Sequence, residues 1–183
     1  FVGSLFIDGT AGQVSCYRSF GQSRKWGISN AYNAQPTVLH VGDSTPTWTI
    51  THTTFTAING NTANSGTSFC CLPNQVVFGT FDMVVRAAGT AASGGAQYKL
   101  AIGFNSTTTP ATLSVVGNLD NEIPLTAAIA CTMCSKYSSD PALGINVWTA
   151  IEEAPNYVAG QTLNAFGSGA ASPSCLMQIA FAA

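Results

Sequence analysis

Apolar and polar residues alternate along this chain with a period of two, and helical periodicity is nearly absent. A strand sends successive side chains to opposite faces, so this pattern describes β-structure with one face buried. In Ala96-Gln97-Tyr98-Lys99-Leu100-Ala101-Ile102-Gly103-Phe104, one face holds Ala96, Tyr98, Leu100, Ile102 and Phe104, while Gln97, Lys99 and Gly103 take the other. That is the reading of a half-buried antiparallel strand. Near the C-terminus Cys175, Met177, Ile179 and Phe181 share one face and Gln178 the other. A third core face is formed by Val77, Phe81, Met83, Val85 and Ala87, with Asp82 and Arg86 turned away. Between Trp48 and Ile58 the apolar parity changes from Ile50 to Phe55. A bulge, or a bend into a second sheet, accounts for that change.

Turn residues punctuate the pattern at Asp8-Gly9, Val41-Gly42-Asp43, Asn59-Gly60-Asn61, Leu72-Pro73-Asn74, Ser93-Gly94-Gly95, Asp140-Pro141 and Gly167-Ser168-Gly169. Many short strands between such signals predict an all-β fold, an antiparallel β-sandwich or jelly roll. Two parts are expected: a short N-terminal β-region over residues 1–45 and a jelly-roll sandwich head over 46–183.

The surface of such a sandwich would carry few ions. Only 8% of residues are charged and the formal net charge is −2, where an ordinary soluble domain is about 25% charged. Thr and Ser fill the gap, and so wet a surface that depends little on charge repulsion to stay apart from its neighbours. The six Lys and Arg leave none between Lys25 and Arg86, so no basic stripe offers itself to nucleic acid. No apolar run approaches the roughly 20 residues of a membrane-spanning helix. The chain opens on Phe1 without a Met, which leaves open a lost initiator, a removed signal peptide or a longer N-terminal segment.

Chemistry-bearing constellations are sparse. His40 and His52, the two histidines, fall in predicted strands, and His52 shares a face with Trp48 and Ile50 as a partly buried structural residue would. No nucleophile elbow, zinc-protease helix motif or phosphate loop occurs, and Gly167-Ser168-Gly169 sits in a turn with no helix following. The carboxylates Asp8, Asp43, Asp82, Asp120, Glu122, Asp140, Glu152 and Glu153 are expected to be solvated, in turns or at strand ends. Glycosidase work would need two of them to face each other. Asp120-Asn121-Glu122 reads as a polar loop before a cation site, and Asn105-Ser106-Thr107 fits a glycosylation acceptor. Cys16, Cys70, Cys71, Cys131, Cys134 and Cys175 are expected as buried free thiols, with three disulfides or a zinc site as the alternatives. No catalytic residue, cofactor or metal ligand is expected. The cluster Tyr17, Arg18, Arg24, Lys25, Trp26 and Tyr32 has the Arg and aromatic content of a docking patch.

Two stretches carry a resemblance. Phe1-Val2-Gly3-Ser4-Leu5-Phe6-Ile7-Asp8-Gly9-Thr10, Gly12 to Cys16 and Arg24-Lys25-Trp26-Gly27-Ile28-Ser29-Asn30-Ala31-Tyr32-Asn33 resemble the opening of phage virion structural proteins. Thr47-Trp48-Thr49 through Gly60, then Phe81 to Ala87 and Leu100 to Ser106, are similar to the jelly-roll heads of tumour necrosis factor and complement C1q, which recur on phage fibres, tail knobs and capsid decorations. The resemblance implies a non-catalytic virion protein, a tail fibre or knob or a capsid decoration (cement) subunit. It would form a homotrimer, dock on capsid or tail proteins and present a surface to solvent or a host receptor during host attachment. The strand with Met177, Ile179 and Phe181 is the expected trimer interface. A secreted carbohydrate-binding β-sandwich module is the alternative.

Overall fold

The structure, a computed structural model, describes residues 36–70, 76–88, 97–112, 114, 129–139, 144–157, 162–167, 169 and 175–182. Ten strands follow in chain order: β1 (Pro36–Val41), β2 (Trp48–Thr49), β3 (Thr56–Ala57), β4 (Ser65–Cys70), β5 (Val77–Ala88), β6 (Lys99–Phe104), β7 (Ile129–Ser139), β8 (Gly144–Glu153), β9 (Thr162–Ala165) and β10 (Cys175–Ala182). Among the described residues one 3-10 turn, Ile58–Gly60, follows β3. The strands form two antiparallel sheets, one of six and one of four, so the all-β sandwich expected from alternation is the fold observed.

Strand β5 organises the larger sheet. Along one side it pairs with β7, from Val77↔Ser139 to Ala87↔Ile129. Its other side is shared, with β10 on Phe78 to Met83 and β9 on Val85 to Ala88. Strand β1 extends the sheet beyond β10, and β2 extends it beyond β9. In the smaller sheet β8 has the same part, with β6 on one side and β3 and β4 in succession on the other. Strand β1 precedes the division expected after residue 45, yet it pairs with β10 along its length. Residues 36–41 therefore belong to the sandwich.

The parity change after Ile50 has a structural meaning. Strand β2 belongs to the six-stranded sheet and β3 to the four-stranded one, so the chain crosses between layers in residues 50–55. His52 lies in this crossing, not in a strand as the sequence predicts, because a crossing chain cannot keep its ladder. The crossing is tied by backbone bonds from Ile50 N to Leu163 O and from Ala154 N to His52 O, both 2.8 Å.

Between the sheets Ile50, Phe81, Tyr98, Leu100, Ile102, Trp148, Leu163, Met177 and Ile179 are fully buried. Each large side chain of this kind contributes about 1.5–3 kcal/mol when taken from water. Gly79 interrupts the core face of β5 because the indole of Trp148 occupies that place. A Cβ at 79 would stand 3.1 Å from Trp148 Cε3 and Cζ3. Phe104 meets the same indole edge-on at 5.1 Å between centroids, and Tyr137 packs at 5.8 Å.

Strand β6 departs from the half-buried reading, since Ala101 and Gly103 on its second face are buried too. Residues 105–111 fold back along it. Gly103 bridges Pro110, and Ala111 N donates to Ile102 O at 2.8 Å. A side chain at 103 would strike the Ser106 carbonyl. Buried Ser114 caps the turn, giving its hydroxyl to the carbonyls of Ile102 and Ala111, and accepts the Ser135 hydroxyl of β7 on its own carbonyl.

Candidate functional site

Among the described residues the most concentrated chemistry lies between the sheets at the level of β2 and the end of β8. Trp148, Ala150 and Glu152 share the inward parity of β8, so the alternation that builds the core also carries a carboxylate into it. Glu152 is 0% exposed. Its Oε1 accepts the Trp48 indole N–H at 2.8 Å and the Asn59 backbone N–H at 2.9 Å, and its Oε2 accepts the Tyr98 hydroxyl at 2.8 Å. Trp48 stands on the six-stranded sheet and Glu152 on the four-stranded one, so this acid joins the layers.

A second carboxylate is set beside it by the β1–β2 connection. Asp43, 3% exposed, accepts the Thr45 backbone N–H at 2.8 Å on Oδ1. Its Oδ2 accepts the side-chain amides of Asn64 at 2.6 Å and Asn59 at 3.2 Å. Asn59 therefore serves both acids, with its backbone on Glu152 and its carboxamide on Asp43 and Thr45. It does so from a left-handed conformation, φ 54 and ψ 23, which Asn tolerates better than most side chains. The connection is held down at Gly167, where an added Cβ would strike the carbonyls of Thr45 and Asp43. That close approach is what the Gly167 turn signal stands for.

The two acids respond to burial in opposite ways. Removal from water dominates at Glu152 and raises its carboxyl to about 7, against the hydrogen bonds of Asn59, Tyr98 and Trp48 that favour the anion. At Asp43 burial also pushes upward, but the hydrogen bonds from Thr45, Asn64 and Asn59 together outweigh it and hold the carboxyl below its ordinary value. His52, 24% exposed at its side chain, brings Nε2 to 3.7 Å from Glu152 Oε1, and that atom makes no hydrogen bond. Burial lowers the imidazole, opposed by the Glu152 backbone and the Glu153 charge. Glu153 points to the other face and pairs with Lys99 at 3.0 Å.

Three carboxylates expected in solvent, Asp43, Glu152 and Glu153, are therefore buried. Their partners explain the correction: a buried acid is tolerated when its oxygens are hydrogen-bonded. Parity with Trp148 and Ala150 is the signal that could have found Glu152; nothing local marks Asp43. Among the described residues no three His, Cys, Asp or Glu side chains gather as a metal site. Chemically, the cluster can take up or release a proton at Glu152 while clamping two sheets and a loop.

The other sequence-derived sites are placed unevenly. Tyr17, Arg18, Arg24, Lys25, Trp26 and Tyr32 lie outside the described residues, as do Asp120-Asn121-Glu122, Cys16 and Cys71. Met177, Ile179 and Phe181 face the core of their own chain from β10, a strand flanked by β1 and β5. The surface that β10 offers a neighbour is the opposite face, with Leu176 and Gln178. Cys134 and Cys175 are free thiols. Cys131 and Cys134 lie in one straight strand, β7, instead of the tight turn of a chelating Cys-x-x-Cys pair. Asn105 is exposed, but its carboxamide is engaged, donating to Asn146 Oδ1 at 3.1 Å and accepting the Val147 N–H at 2.8 Å. His40 is exposed on β1.

Fold and site together define an antiparallel β-sandwich whose layers are joined by a buried carboxylate network. No protein-family model matches the chain, and no curated protein matches it.

Proposed function

We propose that this chain is a non-catalytic structural subunit of a virus or phage particle, a fibre or knob head or a capsid decoration, that works by docking and presenting surface. The observation that supports this most is how the buried acids are used. Glu152 and Asp43 accept hydrogen bonds from Trp48, Tyr98, Asn59, Asn64 and Thr45, so their oxygens hold the layers and the β1–β2 loop together. A hydrolase needs its carboxylates facing a substrate across an open cleft. The sparsely charged, hydroxyl-rich composition suits a chain whose neighbours are fixed in an assembly, and homotrimers attached to capsid or tail proteins are the form this reading expects.

Labelling purified particles with antibody against the chain tests the reading, and many copies on the head would favour decoration over a tail fibre. Turnover of host polysaccharide by the purified chain, abolished by Glu152→Gln, would overturn it. Selective binding on a glycan array, with no antibody signal on particles, would move the chain to the secreted sugar-binding class.

A further inference from the structure

Asn59 precedes Gly60, and no other Asn in the chain is followed by Gly. The pair is chemically distinct, because a glycine sets no side chain in front of its own backbone nitrogen. The fold leaves this pair open on one side and guarded on the other. Gly60 is exposed at φ 63, and a Cβ built on it would meet nothing within 4 Å. Asn59 is half-buried and donates its carboxamide to Asp43 Oδ2 at 3.2 Å and to Thr45 Oγ1 at 3.0 Å. Its backbone is held in the left-handed region, which costs a residue with a side chain free energy.

We propose that Asn59 is a deamidation site, and that its conversion releases the β1–β2 loop from the end of β8. Solvent hydroxide takes the Gly60 amide proton, and the nitrogen attacks Asn59 Cγ. The Gly60 N–Cγ bond forms, the Cγ–Nδ2 bond breaks, and Nδ2 takes a proton from water and leaves as ammonia. Water then opens the five-membered imide. Attack at Cγ breaks the new bond and leaves Asp at 59. Attack at the main-chain carbonyl breaks the old peptide bond, and the chain then runs through Cγ as isoaspartate. Both products undo what Asn59 does. Where Nδ2 donated to Asp43, one carboxylate now faces another, and like charges at this separation repel. Isoaspartate also inserts a backbone carbon between the Asn59 N–H that Glu152 accepts at 2.9 Å and the Asn61 N–H that closes the turn on Ile58 O at 3.0 Å. The same contacts set the rate. Ring closure needs the carboxamide turned from Asp43 and Thr45 towards Gly60, so it proceeds from molecules in which the loop has opened. The modification thus counts loop openings, whatever the chain assembles with.

The full chain is held at pH 8, folded and in urea, and its peptides are mapped over time by mass and for isoaspartate. Asn59 is expected to convert before Asn64 and Asn105, which precede serines, and about tenfold more slowly folded than in urea. Asp43→Ala removes one acceptor and should bring the folded rate several-fold closer to the rate in urea. Asn59→Asp supplies one product directly, and hydrogen exchange at the Thr45 and Asn59 amides should rise about tenfold in it. Conversion of Asn64 or Asn105 ahead of Asn59 in the folded chain would overturn the site. Equal rates folded and in urea, or an unchanged rate in folded Asp43→Ala, would overturn the guarding role of the network. Parent-like exchange in Asn59→Asp would overturn the release. The urea comparison and Asn59→Asp decide the matter even where Asp43→Ala does not fold.

Discussion

Trp48 and Glu152 meet across the sandwich, indole N–H to carboxylate oxygen at 2.8 Å, with one residue on each sheet. The bond is local in space and remote in sequence, and its acceptor changes charge near neutrality. The stability of the inter-layer joint is therefore tied to a proton.

Glu152 has its folded value raised from 4.5 to about 7. Its contribution to stability is fully present below pH 4.5 and is lost as the pH rises towards and through 7. The shift corresponds to on the order of 3 kcal/mol. In Glu152→Gln the amide oxygen still accepts from Trp48 and Asn59, and the amide N–H can donate to the Tyr98 oxygen. Urea unfolding at several pH values should show the variant gaining on the parent between pH 4.5 and 8. Parallel stability curves would refute the assignment.

Removing the acceptor is a different perturbation. Glu152→Leu removes the acceptor from the buried Trp48 indole N–H and the Asn59 backbone N–H, at about 1–3 kcal/mol each. A loss of about 3 kcal/mol or more is expected at pH 5. An unchanged midpoint would mean that water replaces the carboxylate.

Asp43 shifts the other way. Held below its ordinary 3.8, it contributes stability above that value and loses it as the pH falls through the lowered folded value. Asp43→Asn should therefore cost most near neutrality and progressively less in acid. Hydrogen exchange should show the loss as faster opening of the β1–β2 loop.

Gly79 is the seat of the Trp148 ring. Gly79→Val should force the indole aside and cost about 1–3 kcal/mol, whereas Trp148→Ala leaves a cavity worth about 3–5 kcal/mol. Trp148 fluorescence should shift to the red in Gly79→Val; an unmoved spectrum with parent stability would count against the packing.

The two described thiols should separate by reactivity. Burial drives Cys175 up to about 11 and shields it, while Cys134, raised by burial and by Asp82, stays partly exposed. Peptide mapping after brief alkylation of native protein should find Cys134 modified well before Cys175. Equal labelling would indicate that the core is open at β10.

Much of the sandwich was legible because strand parity is a local property. Cys175, Met177 and Ile179 alternate inward as read, and the lost parity after Ile50 marks the crossing between sheets. What stayed hidden depends on contacts between distant segments. Gly103 looked solvated because nothing in its strand announces that residues 105–111 fold back over it. Asp43 looked like a turn residue because the amides that bury it come from Asn59 and Asn64. Glu152 was readable by parity, but a Glu pair near a turn more often marks the place where a strand meets water.

Strand β1 hydrogen-bonds to β10, Val41 opposite Met177 and Leu39 opposite Ile179. An early segment of the described chain thus waits for a late one before its backbone is satisfied. On a ribosome the hydrophobic side chains Leu39 and Val41 would emerge long before the strand that shelters them. Pairings this remote make folding slow and leave sticky intermediates. The same closure gives the finished sandwich a strong all-or-none character, since peeling β10 away uncovers β1 and β5 together.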